Sequence, residues 1–210
     1  MRIKPSKELI LQRFVVGPLE VNAYVVADPD SKEAFLIDPG ADPEEIKRFI
    51  SGNGLDLKFV INTHGHGDHI GANGAFGVPV YIHGLDAGFL QDASLNLSLA
   101  FGFPIISPEA SRLLVDHDRF RLGGLEILII HTPGHTRGSI SIKVGGAVFT
   151  GDALFNHSIG RTDLPGSSEE ALLNSIRNRL LTLPDDTDVY PGHGEPTTVG
   201  QEKRSNPFLV

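Results

Sequence analysis

The segment Thr63-His64-Gly65-His66-Gly67-Asp68-His69 sets three imidazoles and a carboxylate within six residues, directly after the apolar run Lys58-Phe59-Val60-Ile61-Asn62. Neutral imidazole nitrogen and carboxylate oxygen are the ligands that borderline divalent metals such as zinc, iron and manganese accept. Three more such donors end apolar runs further along: His135 in Thr132-Pro133-Gly134-His135, Asp152 in Phe149-Thr150-Gly151-Asp152 and His193 in Tyr190-Pro191-Gly192-His193. Seven donors are too many for one closed four-coordinate site. The pattern therefore points to two adjacent metals, or to one metal with spare ligands.

His64 and His66 are two apart and project to the same side of an extended chain, while Asp68 and His69 lie just beyond, where the chain turns. An economical partition puts His64, His66 and His135 on one metal and Asp68, His69 and His193 on another. Asp152 then bridges, because a carboxylate has two oxygens. Water between metals roughly 3.5–4 Å apart is acidified towards a pKa of about 7, which makes a nucleophile without serine or cysteine. The metals also polarise the attacked carbonyl or phosphoryl group. Asp68 and Asp152, the carboxylates of the set, are the candidate catalytic residues.

Other polar residues have blander readings. His117, in Asp116-His117-Asp118, reads as a solvated turn, and His83 and His131, which end strands, as buried hydrogen-bonded groups. His157 is a candidate to line the pocket, because it lies between Asp152 and Gly160-Arg161-Thr162-Asp163. Asp38 either orients a ligand histidine from behind or caps the turn before Pro39-Gly40. Arg161 either braces its loop through Asp163 or faces an anionic substrate.

These residues need a scaffold, and 210 residues suffice for one domain spanning 1–210. The absence of cysteine excludes disulfides, zinc fingers and iron–sulfur centres, so any metal is held by nitrogen and oxygen. The start, Met1-Arg2-Ile3-Lys4-Pro5-Ser6-Lys7-Glu8, has no apolar leader core, and no run approaches the ~18 apolar residues of a membrane span. A cytoplasmic protein without a membrane partner is expected. Eighteen basic against 26 acidic residues, a formal charge of −8, argue against nucleic acid as a partner. Bound dications would reverse that sign locally, so small anionic molecules remain admissible.

Apolar patterning and turn residues predict strands over 11–17, 22–27, 33–38, 58–62, 80–83, 119–122, 125–131, 139–144, 147–150 and 188–190. Asp42-Pro43-Glu44-Glu45 offers an N-cap and a first-turn proline for a helix reaching about residue 51. A short helix or turn is expected from Asp68 towards Phe76. Residues 84–110 have no clean period and read as a helix followed by a partly apolar lid or loop. The last predicted helix starts at a capping box, Ser167-Ser168-Glu169-Glu170, buries Leu172, Leu173, Ile176 and Leu180, and stops at Pro184. Gly-His recurs at 65–66, 134–135 and 192–193, which suggests a shared sharp turn that aims each imidazole across the mouth of a sheet.

Taken together, Ile37-Asp38-Pro39-Gly40, Thr63 to His69, Thr132-Pro133-Gly134-His135-Thr136, Phe149-Thr150-Gly151-Asp152, Gly160-Arg161-Thr162-Asp163 and Tyr190-Pro191-Gly192-His193 resemble the metallo-β-lactamase superfamily, and within it the glyoxalase II-like hydrolases. The resemblance spans essentially the whole chain. It implies an α/β (α+β) fold, a four-layer αββα sandwich of two mixed β-sheets flanked by helices, with the metals at one edge between the sheets. It also implies the ligand partition given above, two divalent metal ions (zinc first, with iron or manganese as alternatives), and a bridging hydroxide as nucleophile. The implied reaction is hydrolysis of an S-(2-hydroxyacyl)glutathione thioester.

The sequence departs from that pattern after the last ligand histidine. Gly194-Glu195-Pro196 stands where those enzymes usually have a tyrosine, and the remainder is shorter than their helical C-terminal extension, as in a short bacterial or archaeal subgroup. Lys203 or Arg204 are candidates to replace missing glutathione contacts. The rival within the resemblance is a persulfide dioxygenase with a single iron on His64, His135 and Asp152. A lactamase, a nuclease and a non-catalytic metal-dependent binding module are the further alternatives.

Overall fold

The computed structural model describes residues 9–210; residues 1–8, read above for their lack of an apolar leader core, lie outside the described residues. The first half of the chain forms β1 (Ile10–Val16), β2 (Val21–Ala27), β3 (Glu33–Ile37), helix α1 (Pro43–Gly52), β4 (Asp56–Ile61), the short helix α2 (Gly67–Ile70), β5 (Val80–His83) and β6 (Arg112–Leu114). These strands make one six-stranded sheet in chain order, antiparallel from β1 to β3 and parallel from β3 to β6. The second half forms β7 (Arg119–Leu122), β8 (Leu125–His131), β9 (Ile140–Val144), β10 (Ala147–Gly151), the hairpin β11 (Leu154–Phe155) and β12 (Ser158–Ile159), helix α3 (Glu169–Ser175), β13 (Asp188–Pro191), β14 (Thr197–Thr198) and helix α4 (Val199–Ser205). Its six-stranded sheet has the order β14-β13-β10-β9-β8-β7.

Strand alternation sorts the apolar side chains into layers. Along β3, Phe35 and Ile37 point between the sheets and meet Phe59, Ile61, Ile127, Ile129, Ile142 and Phe149. The alternate residues Ala34 and Leu36 point outward to Ile46 of α1. On the second sheet Val148 and Val189 face outward and pack on Leu172, Ile176 and Leu180. Helix, sheet, sheet and helix follow in that order, which is the expected αββα sandwich of two mixed sheets.

Local chemistry departs from the sequence reading at several points. Asp42 precedes α1 in a left-handed conformation and does not cap it; its carboxylate accepts from the Gly17 N–H at 2.8 Å. Ser168, not Ser167, caps α3 by accepting from the Ala171 N–H, which frees the Ser167 hydroxyl to donate to the His135 carbonyl at 2.7 Å. That helix passes into a π turn over Ile176–Leu180, and Leu173 is only half-buried. The helix expected after residue 84 is instead two separate 3-10 segments, Gly84–Gln91 and Ser98–Phe101. With Gly84 and Gly88 in the first segment and no apolar period, an α-helix has neither propensity nor a face to bury there. The sequence pattern does not predict β6, β11, β12, β14 and α4, which are too short to leave a periodic signal.

Strands β8, β10 and β13 run in one direction, so the loops after them leave the sandwich at the same edge. The two sheets are clipped together there. Ile140 donates its N–H to the Thr63 carbonyl at 2.8 Å, Asn22 donates to the Gly192 carbonyl at 2.7 Å, and Val21 bridges His193. No helix among the described residues is long and apolar enough to cross a membrane.

Phe149 stacks on Tyr190 with ring centroids 5.3 Å apart and meets Tyr24 edge-on at 5.1 Å, in β10, the strand that leads into the candidate ligand Asp152. Truncation by Phe149→Ala is expected to cost about 3–5 kcal/mol. Urea denaturation of the metal-free protein checks this, and a loss under about 1 kcal/mol would contradict the packing described.

Candidate metal centre

The seven predicted donors meet at the clipped edge. Donor atoms lie within 4.8 Å of one another in each of three sets: His64, His66 and His135; His64, His69 and Asp152; and Asp68, His69 and His193. His64 and His66 leave the end of β4, Asp68 and His69 sit on α2, and His135, Asp152 and His193 follow β8, β10 and β13. Both sheets therefore contribute.

The glycines before the imidazoles do different jobs at different places. Gly134 has φ +145° and lies so close to α3 that a Cβ would run into the Leu172 backbone. At Gly65 and Gly192 the backbone is ordinary, and the constraint is space: a side chain would collide with Phe89 or with the Asp152 carboxylate. The recurring dipeptide is thus a shared need for close approach more than a shared turn.

In the first set, His66 Nδ1 lies 3.0 Å from both His64 Nε2 and His135 Nε2. Asp152 stands between the sets. Its Oδ1 is 3.5 Å from His69 Nε2, and its Oδ2 is 3.6 Å from both His135 Nε2 and His193 Nε2. Asp68 Oδ2 is 3.5 Å from His193 Nε2 and 3.7 Å from His69 Nε2. His69 Nε2 and Asp152 Oδ1 are buried and without a hydrogen-bond partner. Orphaned buried donors and acceptors are costly unless something else satisfies them. Convergent nitrogen and carboxylate oxygen around orphaned atoms is the environment a divalent cation fills, so the residues fit the implied metals.

Groups behind the donors fix their orientation. Asp38 accepts from His69 Nδ1 at 3.0 Å, from the Thr63 N–H at 2.8 Å and from the Thr63 hydroxyl at 2.6 Å. His135 Nδ1 donates to the Arg161 carbonyl at 2.9 Å. A carboxylate and a carbonyl can only accept, so both rings carry hydrogen on Nδ1 and turn Nε2 towards the cluster. The loop of His193 is held by Asn22, whose amide donates to the carbonyls of Pro191 and Gly194 at 3.0 and 2.8 Å, and by the Tyr24 hydroxyl, which donates to Pro191 at 2.7 Å. Asp38 thus orients a cluster histidine.

His157 and Arg161, the other two candidates, find their partners outside the cluster. His157 does not enter the cluster: its Nδ1 approaches the Ser205 carbonyl at 3.2 Å and its Nε2 approaches Gln201 Nε2 at 3.1 Å, so the ring belongs to α4. Arg161 braces its loop through a bidentate pair with Asp163 at 2.7 and 2.8 Å. Lys203 is committed to Asp185 and the Leu183 carbonyl. His83 and His131 stack face to face at 4.3 Å, and the His117 side chain is exposed. Sequence reasoning missed Asp86, Asn22 and Tyr24. No periodicity or motif flags them, since their roles arise from contacts across the fold.

The two outer sets differ in charge. Burial, then the neighbouring imidazoles, push His64 well below the ordinary histidine value, and burial with His135 pushes His66 down to about 3. Burial also works against charge on His69, but Asp68, Asp152 and Asp38 outweigh it and push that ring up to about 10. His193 is raised likewise, burial being outweighed by Asp68 and Asp152. Against its own burial, Asp68 is held well below the usual carboxylate range by His69 and His193. The metal-free chain thus carries neutral His64 and His66 beside protonated His69 and His193 that balance Asp68.

The αββα sandwich and this donor set define a metallo-hydrolase. The chain belongs to the metallo-β-lactamase superfamily, whose family model matches residues 16–193. It is 40% identical over 205 residues to the hydroxyacylglutathione hydrolase GloC of Haemophilus influenzae, a match covering 92% of this chain and 95% of the relative. The crystal structure of the BLEG-1 B3 metallo-β-lactamase superposes with a TM-score of 0.90 at 40% identity, covering 96% of this chain and all (100%) of that one. The crystal structure of TTHA1623 in a di-iron-bound form gives 0.83 at 40% identity, covering 94% of this chain and 100% of that one.

The charge difference predicts how metal uptake responds to pH. The raised value of His69, about 10 against an ordinary 6.5, stabilises the metal-free fold fully below pH 6.5, and that contribution is lost as pH rises through about 10. A cation entering the Asp68, His69 and His193 set must displace that proton, whereas His64 and His66 are already neutral. Of two binding steps, one should therefore strengthen on the order of tenfold per pH unit through the neutral range while the other stays nearly flat. Competition titration of the metal-free protein with zinc and a chromophoric chelator measures both. Two flat steps would contradict the charge assignment.

Proposed function

We propose that the protein is a two-metal thioesterase of the glyoxalase II type, acting on a small S-(2-hydroxyacyl)glutathione thioester. His64, His66 and His135 would hold one ion, Asp68, His69 and His193 the other, and Asp152 would bind both. The observation that carries this reading is the position of Asp152, whose two oxygens lie 3.5–3.6 Å from His69, His135 and His193, with Oδ1 lacking any hydrogen bond. Zinc, iron and manganese all accept this donor set.

When bound, such ions supply an acidified water as nucleophile and an electrophile for the thioester carbonyl. The chain's own part is to keep the donors ready. Asp38 and the Arg161 carbonyl hold His69 and His135 in the tautomer that turns Nε2 inward. Asp68 stays ionised through His69 and His193. A thiolate leaves without strong need of a protonating acid, so the set contains no group that must serve as one. Identity to GloC at 40% over 92% of this chain supports a hydroxyacylglutathione as the substrate class.

A second reading, β-lactam hydrolysis, is favoured by the similarity to BLEG-1. The single-iron persulfide dioxygenase leaves His66, Asp68, His69 and His193 without a task, although they converge as closely as the rest.

Metal content and hydrolysis of S-lactoylglutathione, measured on one purified sample, test the proposal. About two ions per chain with turnover is the expected result. Asp152→Ala should lower kcat/KM by roughly a thousandfold or more while leaving the circular dichroism spectrum intact. One iron per chain, no thioester turnover and oxygen consumption with glutathione persulfide would overturn it. Faster turnover of a chromogenic β-lactam than of the thioester would move the assignment to the second reading.

A further inference from the structure

Asp86 lies in the 3-10 segment after β5 and is fully buried. Its Oδ2 accepts from the Gly65 N–H at 3.0 Å and from the Thr136 hydroxyl at 2.7 Å, and its Oδ1 accepts from the Gly138 N–H at 2.8 Å. Gly65 separates His64 from His66, and Thr136 follows His135. One carboxylate therefore grips both loops from which the three imidazoles of the first set project, and those loops leave different sheets. The grip is tight. A Cβ on Gly138 would run into the Asp86 carboxylate, and the Ser139 hydroxyl accepts from the Thr136 N–H at 3.0 Å to close the turn.

Among the described residues no lysine or arginine pairs with Asp86. A buried carboxylate without a lysine or arginine partner is costly, and here three hydrogen-bond donors meet it. All three come from the two imidazole-bearing loops. The other set is backed separately, by Asp38 behind His69 and by Asn22 and Tyr24 behind the His193 loop.

We propose that Asp86 is a positioning residue for the His64, His66 and His135 set, fixing the separation of its two loops so that three nitrogens meet on one cation. It has no such role for Asp68, His69 and His193. This rests on the two-ion reading above.

The test is stepwise zinc affinity, by chelator competition, for the wild type and for Asp86→Asn, which keeps the shape but places an amide against an N–H donor. One binding step should weaken on the order of tenfold and the other should hold. In a double-mutant cycle the effect should persist beside His193→Ala and vanish beside His66→Ala. Equal weakening of both steps, no change in either, or persistence beside His66→Ala would each overturn the proposal. Should Asp86→Asn fail to fold, Thr136→Val and Thr136→Ser decide: weakening of the same step by valine with recovery by serine supports the role, and equal behaviour of the two overturns it. A wild type that binds no zinc would overturn the two-ion reading and this inference with it. A wild type that binds two ions, with Asp86→Asn unchanged, would overturn this inference alone.

Discussion

Polar donors crowded at one edge of a sandwich satisfy one another only in part. His66 Nδ1 lies 3.0 Å from two other imidazole nitrogens, and His69 Nε2 faces carboxylates it does not hydrogen-bond. Left free, such groups would rotate to water or to backbone partners. Their convergence is therefore held from behind, and most of the polar chemistry near this edge consists of that restraint. Asp38 and Asp86 are its two anchors. One binds an imidazole and the strand end before the histidine loop, and the other binds two loops across the sheets.

The restraint in turn depends on the sheets keeping their separation. The apolar layer between them, with Phe35, Phe59, Ile129, Ile142 and Phe149, sets that distance, and the bonds Ile140 to Thr63 and Asn22 to Gly192 close it at the functional edge. Side chains in a close-packed interior cannot shift without opening voids, so the loop ends inherit the rigidity of the core. This is why donors from five separate strand ends or turns can share a space only a few ångströms wide.

The ligand set is legible in the sequence because, without cysteine, its chemistry is confined to histidine and carboxylate, and because His64, His66, Asp68 and His69 are neighbours in the chain. The layered fold is legible for the same local reason, in the period of its strands. The supports are not. Asp86 sits in an aperiodic stretch, and Asn22 looks like any polar residue at the start of a strand. Their partners, Thr136 and Pro191, are far away in sequence. Elements of two or three residues, such as β6 and β14, escape likewise, since they exist only through pairing with a strand already in place. The length and composition of α4 hide it too, although Thr198 caps it by accepting from the Gln201 N–H.

Charge around the mouth follows from these commitments. Arg161 is spent on Asp163, Lys203 on Asp185, and Arg13 on Glu195 and the Gly194 carbonyl. Arg137, exposed just beyond His135, makes no ion pair among the described residues. In a chain of formal charge −8, cations already paired at the surface contribute little field to an approaching anion. Attraction at this edge then rests on what the donor set holds and on Arg137. The metal-free cluster, balanced by the protons on His69 and His193, offers little of it. Loading with dications would change the sign of the edge without any change in the surface residues, so that the same event supplies both the chemistry and the pull on an anionic substrate.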